Sequence, residues 1–154
     1  MIAGGCLCGA VRYRTDAEPI VTRLCWCRVC QYIAAGNAAV GVCFPTAGLT
    51  VAGETRDFVS IADSGNRMHR RFCPSCGTHL FSEAESRPHL IFVRAGTLDD
   101  REIARPLATI WTRTVMGVHR RRSAAVRRPG ACAETDACLV GWESKRRLTS
   151  SARR

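Results

Sequence analysis

Seven of the ten cysteines in this chain fall into three tight clusters. They are Gly5-Cys6-Leu7-Cys8-Gly9, Cys25-Trp26-Cys27-Arg28-Val29-Cys30 and Cys73-Pro74-Ser75-Cys76-Gly77. Sulfurs two or three positions apart converge on one point only where the backbone turns sharply. Glycine just after the last cysteine permits such a turn, because it tolerates positive φ. Zinc sites are built this way, closed and tetrahedral when structural, with one exchangeable position when catalytic. The spacing predicts three turns and a zinc protein with two unlike metal sites.

A length of 154 residues fits one domain, and a 46% hydrophobic, 23% charged composition is that of a globular chain. No apolar run reaches the ~18 residues that span a bilayer, so no membrane partner is expected. Met1-Ile2-Ala3-Gly4 lacks the basic start and long apolar stretch of a signal peptide, which points to the cytoplasm. In that compartment, clustered cysteines signal metal or catalysis more often than disulfides.

The net charge of +10 is uneven. Residues 1–112 hold 12 Arg against 10 acidic residues, and residues 113–154 hold 11 Lys/Arg against 3. Nucleic acid is therefore not an expected partner, except through the basic end.

Alternation of Val11 and Tyr13 with Arg12 and Arg14 predicts a strand leaving the first turn. Further strands are predicted over 38–44, 49–52, 57–62, 67–72, 78–82, 89–95 and 107–112, with 49–52 and 57–62 forming a hairpin around Gly53-Glu54-Thr55. One or two helical turns are expected over 29–35, and a helix cap at Asp99 or Asp100. Many short strands with little helix predict a mainly β fold: a single zinc-stabilised domain of short antiparallel strands over residues 1–113. The regular pattern fails from about Thr114, and residues 114–154 are expected to form a poorly ordered basic tail.

Cys73-x-x-Cys76 supplies two ligands, and Cys6-x-Cys8 is its natural partner, since each pair is followed by glycine and then a strand. Four thiolates close a tetrahedral structural site. The competing readings are a redox-active Cys-x-x-Cys pair or free buried thiols. Cys25, Cys27 and Cys30 supply three thiolates without a local fourth, the pattern of a catalytic zinc whose open position takes water or a substrate thiol. A coordinated thiol is deprotonated outright. The alternative is a second structural site completed by His79, His69 or Cys43. Cys43 itself reads as a small buried hydrophobe, and Cys132 and Cys138 as free thiols. Arg67, Arg70 and Arg71 either pair with a carboxylate-bearing substrate or form a solvated face.

Several of these segments also resemble a known family. Gly4-Gly5-Cys6-Leu7-Cys8-Gly9-Ala10-Val11-Arg12-Tyr13, the Cys25-x-Cys27-x-x-Cys30-Gln31 turn, Ala62-Asp63-Ser64-Gly65-Asn66, Arg71-Phe72-Cys73-Pro74-Ser75-Cys76-Gly77-Thr78 and Ala95-Gly96-Thr97-Leu98-Asp99-Asp100 occur in that order. Together they make residues 3–113 resemble the glutathione-dependent formaldehyde-activating enzymes, a family that also includes centromere protein V. The resemblance implies a mainly β fold and two zinc ions per chain. Cys6, Cys8, Cys73 and Cys76 match the structural site, and Cys25, Cys27 and Cys30 the catalytic one. The implied activity is that of a carbon–sulfur lyase joining glutathione and formaldehyde to S-(hydroxymethyl)glutathione. Trp26 stands where the family usually has His, and Thr109-Ile110-Trp111 where it often has His-Ile-Trp. The rival expectation is a non-enzymatic zinc-stabilised binding module that reaches nucleic acid or protein through the basic tail.

Overall fold

The computed structural model of the chain describes residues 1–117. Strands β1 (Ile2–Gly5) and β2 (Arg12–Thr15) flank the first cysteine turn. Strand β3 (Val21–Cys25) runs into the second cluster and helix α1 (Arg28–Ile33) leaves it. Then come β4 (Ala39–Pro45), β5 (Thr50–Ala52), β6 (Arg56–Ile61), β7 (Arg67–Phe72), the third cysteine turn, β8 (His79–Ala84), β9 (Leu90–Arg94) and β10 (Ala108–Ile110). The fold is mainly β, as the strand pattern predicts. The predicted disorder of the tail, together with Cys132 and Cys138, lies outside the described residues.

The strands form two sheets, a three-stranded one ordered β1-β2-β5 and a seven-stranded one ordered β10-β3-β4-β9-β8-β7-β6. All pairings are antiparallel except β10 with β3. Period-2 alternation decides what each face carries. In β9, Ile91 and Val93 are buried in the core, whereas Phe92 and Arg94 line a cavity on the opposite face. In β4, Val42 and Phe44 are wholly buried, and Ala39 and Gly41 line the same cavity.

The core lies where the small sheet meets the large one. Tyr13 of β2 meets Phe81 of β8 edge-on, with ring centroids 5.3 Å apart and planes at 70°. Such a pair adds about 0.5–1.5 kcal/mol beyond its area burial. Buried Tyr13 keeps its hydroxyl bonded to Thr97 Oγ1 at 2.8 Å. Because Thr97 donates its own proton to the Arg94 carbonyl (2.7 Å), Tyr13 is the donor. Cys6 and Cys73 belong to this same buried cluster.

Strands β5 and β6 do not form the predicted hairpin. Strand β5 pairs with β2, placing Val51 opposite Tyr13, while β6 pairs with β7 in the other sheet. Gly53, at φ +94°, packs so closely on the Ala10 carbonyl that a Cβ would collide with it. That approach seats β5 on the small sheet and turns the chain toward the large one. Two strands, β1 and β3, carry no sequence expectation. Half of β1 is glycine, a poor strand former, yet Gly4 is required because the Tyr13 hydroxyl and Thr97 carbonyl occupy the space of a side chain. The cap expected at Asp99 or Asp100 falls to Asp100, which accepts from Glu102 N at 3.0 Å over a single 3-10 turn. No helix among the described residues is long and apolar enough to cross a membrane.

Candidate metal centres

The first centre joins two turns that belong to different sheets. Cys6 N–H donates to the Val11 carbonyl at 2.9 Å and Gly9 N–H to the Cys6 carbonyl at 3.1 Å. The other turn repeats the plan, with Cys73 N–H on the Thr78 carbonyl (3.0 Å) and Gly77 N–H on the Cys73 carbonyl (2.9 Å). Gly9 and Gly77 both take positive φ, +77° and +70°, as the glycine after each pair predicts. Thr78 ties the turns together. Its hydroxyl accepts from Leu7 N (3.2 Å), leaving its proton for Cys76 Sγ (3.2 Å). That bond is the main reason the Cys76 thiol is held down to about 5.

The sulfurs of Cys6, Cys8, Cys73 and Cys76 all lie within 4.8 Å of one another. Two of the separations are 3.5 Å (Cys6 to Cys8) and 3.8 Å (Cys8 to Cys73). Four ligands on a tetrahedral ion with zinc–sulfur bonds of ~2.3 Å stand about 3.8 Å apart. The donor set therefore fits a sulfur-liganded metal such as zinc. A disulfide needs sulfurs about 2.0 Å apart, and all four cysteines are free thiols. Cys6 and Cys73 are buried, Cys76 half-buried and Cys8 exposed.

The second centre is drawn from one continuous stretch. It is more than a turn: Cys25 ends β3, paired with Ala39 on one side and Ile110 on the other. Cys27 caps α1, its sulfur accepting from Cys30 N at 3.5 Å, and Cys30 sits inside the helix. The three sulfurs lie within 4.8 Å of one another and are half-buried. Hydrogen bonds from Cys25 and then Cys30 drive the Cys27 thiol down to about 2. Cys30 is driven far upward by Cys25 and then Cys27. Three half-buried thiols converging within 4.8 Å of one another are a donor set that also fits a sulfur-liganded metal ion.

Among the described residues, no fourth cysteine, histidine or carboxylate joins this group. The three proposed closers lie outside the group. Cys43 is 1% exposed in the middle of β4, between Val21 and Phe92. His69 is held between Asp57 and Glu85 (3.0 Å to the latter). His79 lies against the Phe72 ring, with centroids 5.8 Å apart, and burial pushes its pKa down.

Cys25, Cys27 and Cys30 open into a cavity of about 130 Å³ on the face of the large sheet away from the core. Alternation in β7 splits the arginine run read from the sequence. Met68 and Arg70 face the cavity. Arg67 and Arg71 instead pair with Glu85 (2.8 Å) and Glu83 (2.9 Å). The three therefore part company: Arg70 lines the cavity, and its two neighbours pair with glutamates of the chain itself. Arg23, Ser82, Phe92 and Arg94 also line the cavity and were not anticipated. Their signal was the alternation of β3, β8 and β9, legible only once it is known which face is buried against the core.

The cavity's rim is held by Gln31, the residue after Cys30. Gln31 is 3% exposed and its amide donates to the Trp26 and Thr114 carbonyls, both at 2.7 Å. Thr114 Oγ1 lies 2.6 Å from the Trp26 carbonyl and 2.7 Å from that of Trp111. These bonds bind the cysteine loop to the segment carrying Trp111, which lines the cavity with a left-handed backbone (φ 60°, ψ 38°). That conformation is costly for a bulky residue and clusters at functional sites.

The sequence profile of a family described as "Glutathione-dependent formaldehyde-activating enzyme" matches residues 1–114. A crystal structure of a Rhodobacter sphaeroides protein superimposes with a TM-score of 0.53 at 20% identity. The match covers 70% of this chain and 98% of that one. No curated protein matches significantly.

Proposed function

The chain belongs to the glutathione-dependent formaldehyde-activating enzyme family, and from that premise we propose that it is a zinc-dependent carbon–sulfur lyase acting on adducts of glutathione, or another small thiol, with an aldehyde. The observation that carries this reading is the three-sulfur group opening into a cavity, with no fourth donor among the described residues. Cys6, Cys8, Cys73 and Cys76 would hold the structural ion, and Cys25, Cys27 and Cys30 the working one. Zinc bound by Cys25, Cys27 and Cys30 would lower the pKa of a thiol substrate and so favour its thiolate.

In the synthetic direction the substrate's sulfur lone pair forms the C–S bond to the aldehyde carbon. The carbonyl π pair moves to oxygen, which takes up the proton the thiol gave up. Lysis reverses each movement. The chain's own part is to hold the reactants together and to meet the developing charge on oxygen. We assign that second task to Ser82, which lines the cavity and whose Oγ accepts from Arg94 Nη2 (2.6 Å), leaving its own proton to donate. Gln31 positions the cysteine loop against Trp111.

The test is exchange NMR on glutathione plus formaldehyde, comparing wild type with Cys27→Ser. Accelerated exchange that the variant loses is expected. Equal rates with and without the protein would remove the catalytic claim.

A further inference from the structure

We propose that the cavity beside Cys25, Cys27 and Cys30 selects small thiols that carry carboxylate groups over neutral or amine-bearing thiols. This deepens the reading just given and rests on it for the thiol, while the anion preference stands on separate observations.

Four arginines, Arg23, Arg70, Arg87 and Arg94, line the cavity, and among the described residues no Asp or Glu does. Surface arginines need no explanation, but Arg70 is 5% exposed. Its Nη1 donates to Ser60 Oγ (2.5 Å), and among the described residues no carboxylate forms an ion pair with its guanidinium. Its opposite charges, Cys30, Cys27 and Asp57, act on it without a direct ion pair, whereas a buried charge normally has a direct partner of opposite sign. Arg94 repeats the pattern: its Nε is buried with no hydrogen-bond acceptor. Arg23 stacks its guanidinium over Phe92, 4.0 Å from the ring centroid. Stacking uses the face of the group and leaves its N–H edge to meet a ligand. These donors want planar anions, and guanidinium meets carboxylate in paired, charge-assisted hydrogen bonds.

Size narrows the ligand further. A cavity of about 130 Å³ is below the ~300 Å³ of pockets that enclose drug-sized molecules. It suits a thiol of a few carbons, such as a mercapto-dicarboxylate. Glutathione seats its sulfur and one carboxylate there and leaves the rest outside. Among the described residues no carboxylate lines these walls to meet an ammonium group, and the four arginines repel it, so exclusion is built in as well as attraction.

Isothermal titration of the zinc-loaded full-length protein with mercaptosuccinate, 2-mercaptoethanol, cysteamine and succinate tests this. Mercaptosuccinate is expected to bind at least about tenfold more tightly than 2-mercaptoethanol, with cysteamine weakest. Arg94→Gln, and separately the solvent-exposed Arg87→Gln, should each narrow that preference. Equal affinity for all three thiols overturns the proposal and leaves the thiol-binding reading standing. Equal affinity for succinate and mercaptosuccinate does the opposite, removing the thiol and keeping the anion site. Absence of heat with every probe overturns both.

Discussion

At the first centre the sulfurs come from two turns far apart in the chain, Cys8 and Cys73 being 65 residues distant. At the second they come from six consecutive residues. An ion held by remote segments closes a long loop and locks two sheets together, so its binding energy is folding energy. An ion held by neighbours staples little. Its energy is not needed to assemble the sheets, and its surroundings are free to serve a ligand. The burial follows: Cys6 and Cys73 are part of the hydrophobic core, whereas Cys25, Cys27 and Cys30 face a cavity. Separation along the chain, more than the number of sulfurs, distinguishes a strut from a working site.

The sharpest way to break this contrast is to remove one sulfur from each centre. Cys73→Ser is expected to abolish cooperative folding. Structural zinc contributes on the order of 10 kcal/mol, as much as the whole net stability of a typical domain. Circular dichroism during thermal melting checks this, and a sharp near-wild-type transition would contradict it. Cys27→Ser is expected to retain that transition while zinc content falls from two ions per chain to one and thiol–aldehyde exchange loses its acceleration. Metal analysis of the folded variant decides between this outcome and two equally essential ions.

A smaller effect is expected at the hinge between the cysteine loop and the cavity wall. Gln31→Ala leaves the Trp26 and Thr114 carbonyls without their shared donor. Loss of about 0.5–1.5 kcal/mol is expected from denaturant unfolding. Exchange activity should fall more steeply than in a surface variant of equal stability, because Trp111 loses its tether.

The smallest effects come from two exposed ionic braces, and their signs are opposite. On the small sheet, Arg12 clasps Asp99 in a paired contact (3.0 and 2.5 Å) that holds the Asp99 carboxyl below its ordinary 3.8. Its stabilisation is complete above that ordinary value and is lost as pH falls through the depressed one. On the cavity's strands, hydrogen bonds to Asp57 and then Glu85 raise His69 above its ordinary 6.5. This contribution is complete below 6.5 and fades as pH rises through the elevated value. Stability profiles of Asp99→Asn and His69→Gln should therefore depart from wild type at opposite ends of the pH range. Coincident departures would contradict the opposite pKa shifts of Asp99 and His69.

Much of this was legible in the residues. Cys-x-Cys and Cys-x-x-Cys with trailing glycines gave the first donor set, and Cys25-x-Cys27-x-x-Cys30 the second, because sulfur spacing and positive φ are local properties. The buried strands announced themselves through alternation. Strand β1 did not, since its glycines are chosen for the space that Tyr13 leaves, a non-local reason. The pairing of β5 was equally hidden, being set by a close approach of Gly53 to Ala10 across the sheet.

The arginines mark the boundary most clearly. Arg67, Arg70 and Arg71 look alike in sequence, yet Arg70 alone is buried beside the thiols while its neighbours meet glutamates. The sequence by itself determined the kind of chemistry: which atoms can bind metal, and how many lie together. Tertiary structure alone decided which charges share the cavity with those sulfurs, because a strand sends alternate side chains to opposite faces and only the assembled sheets say which face is the core.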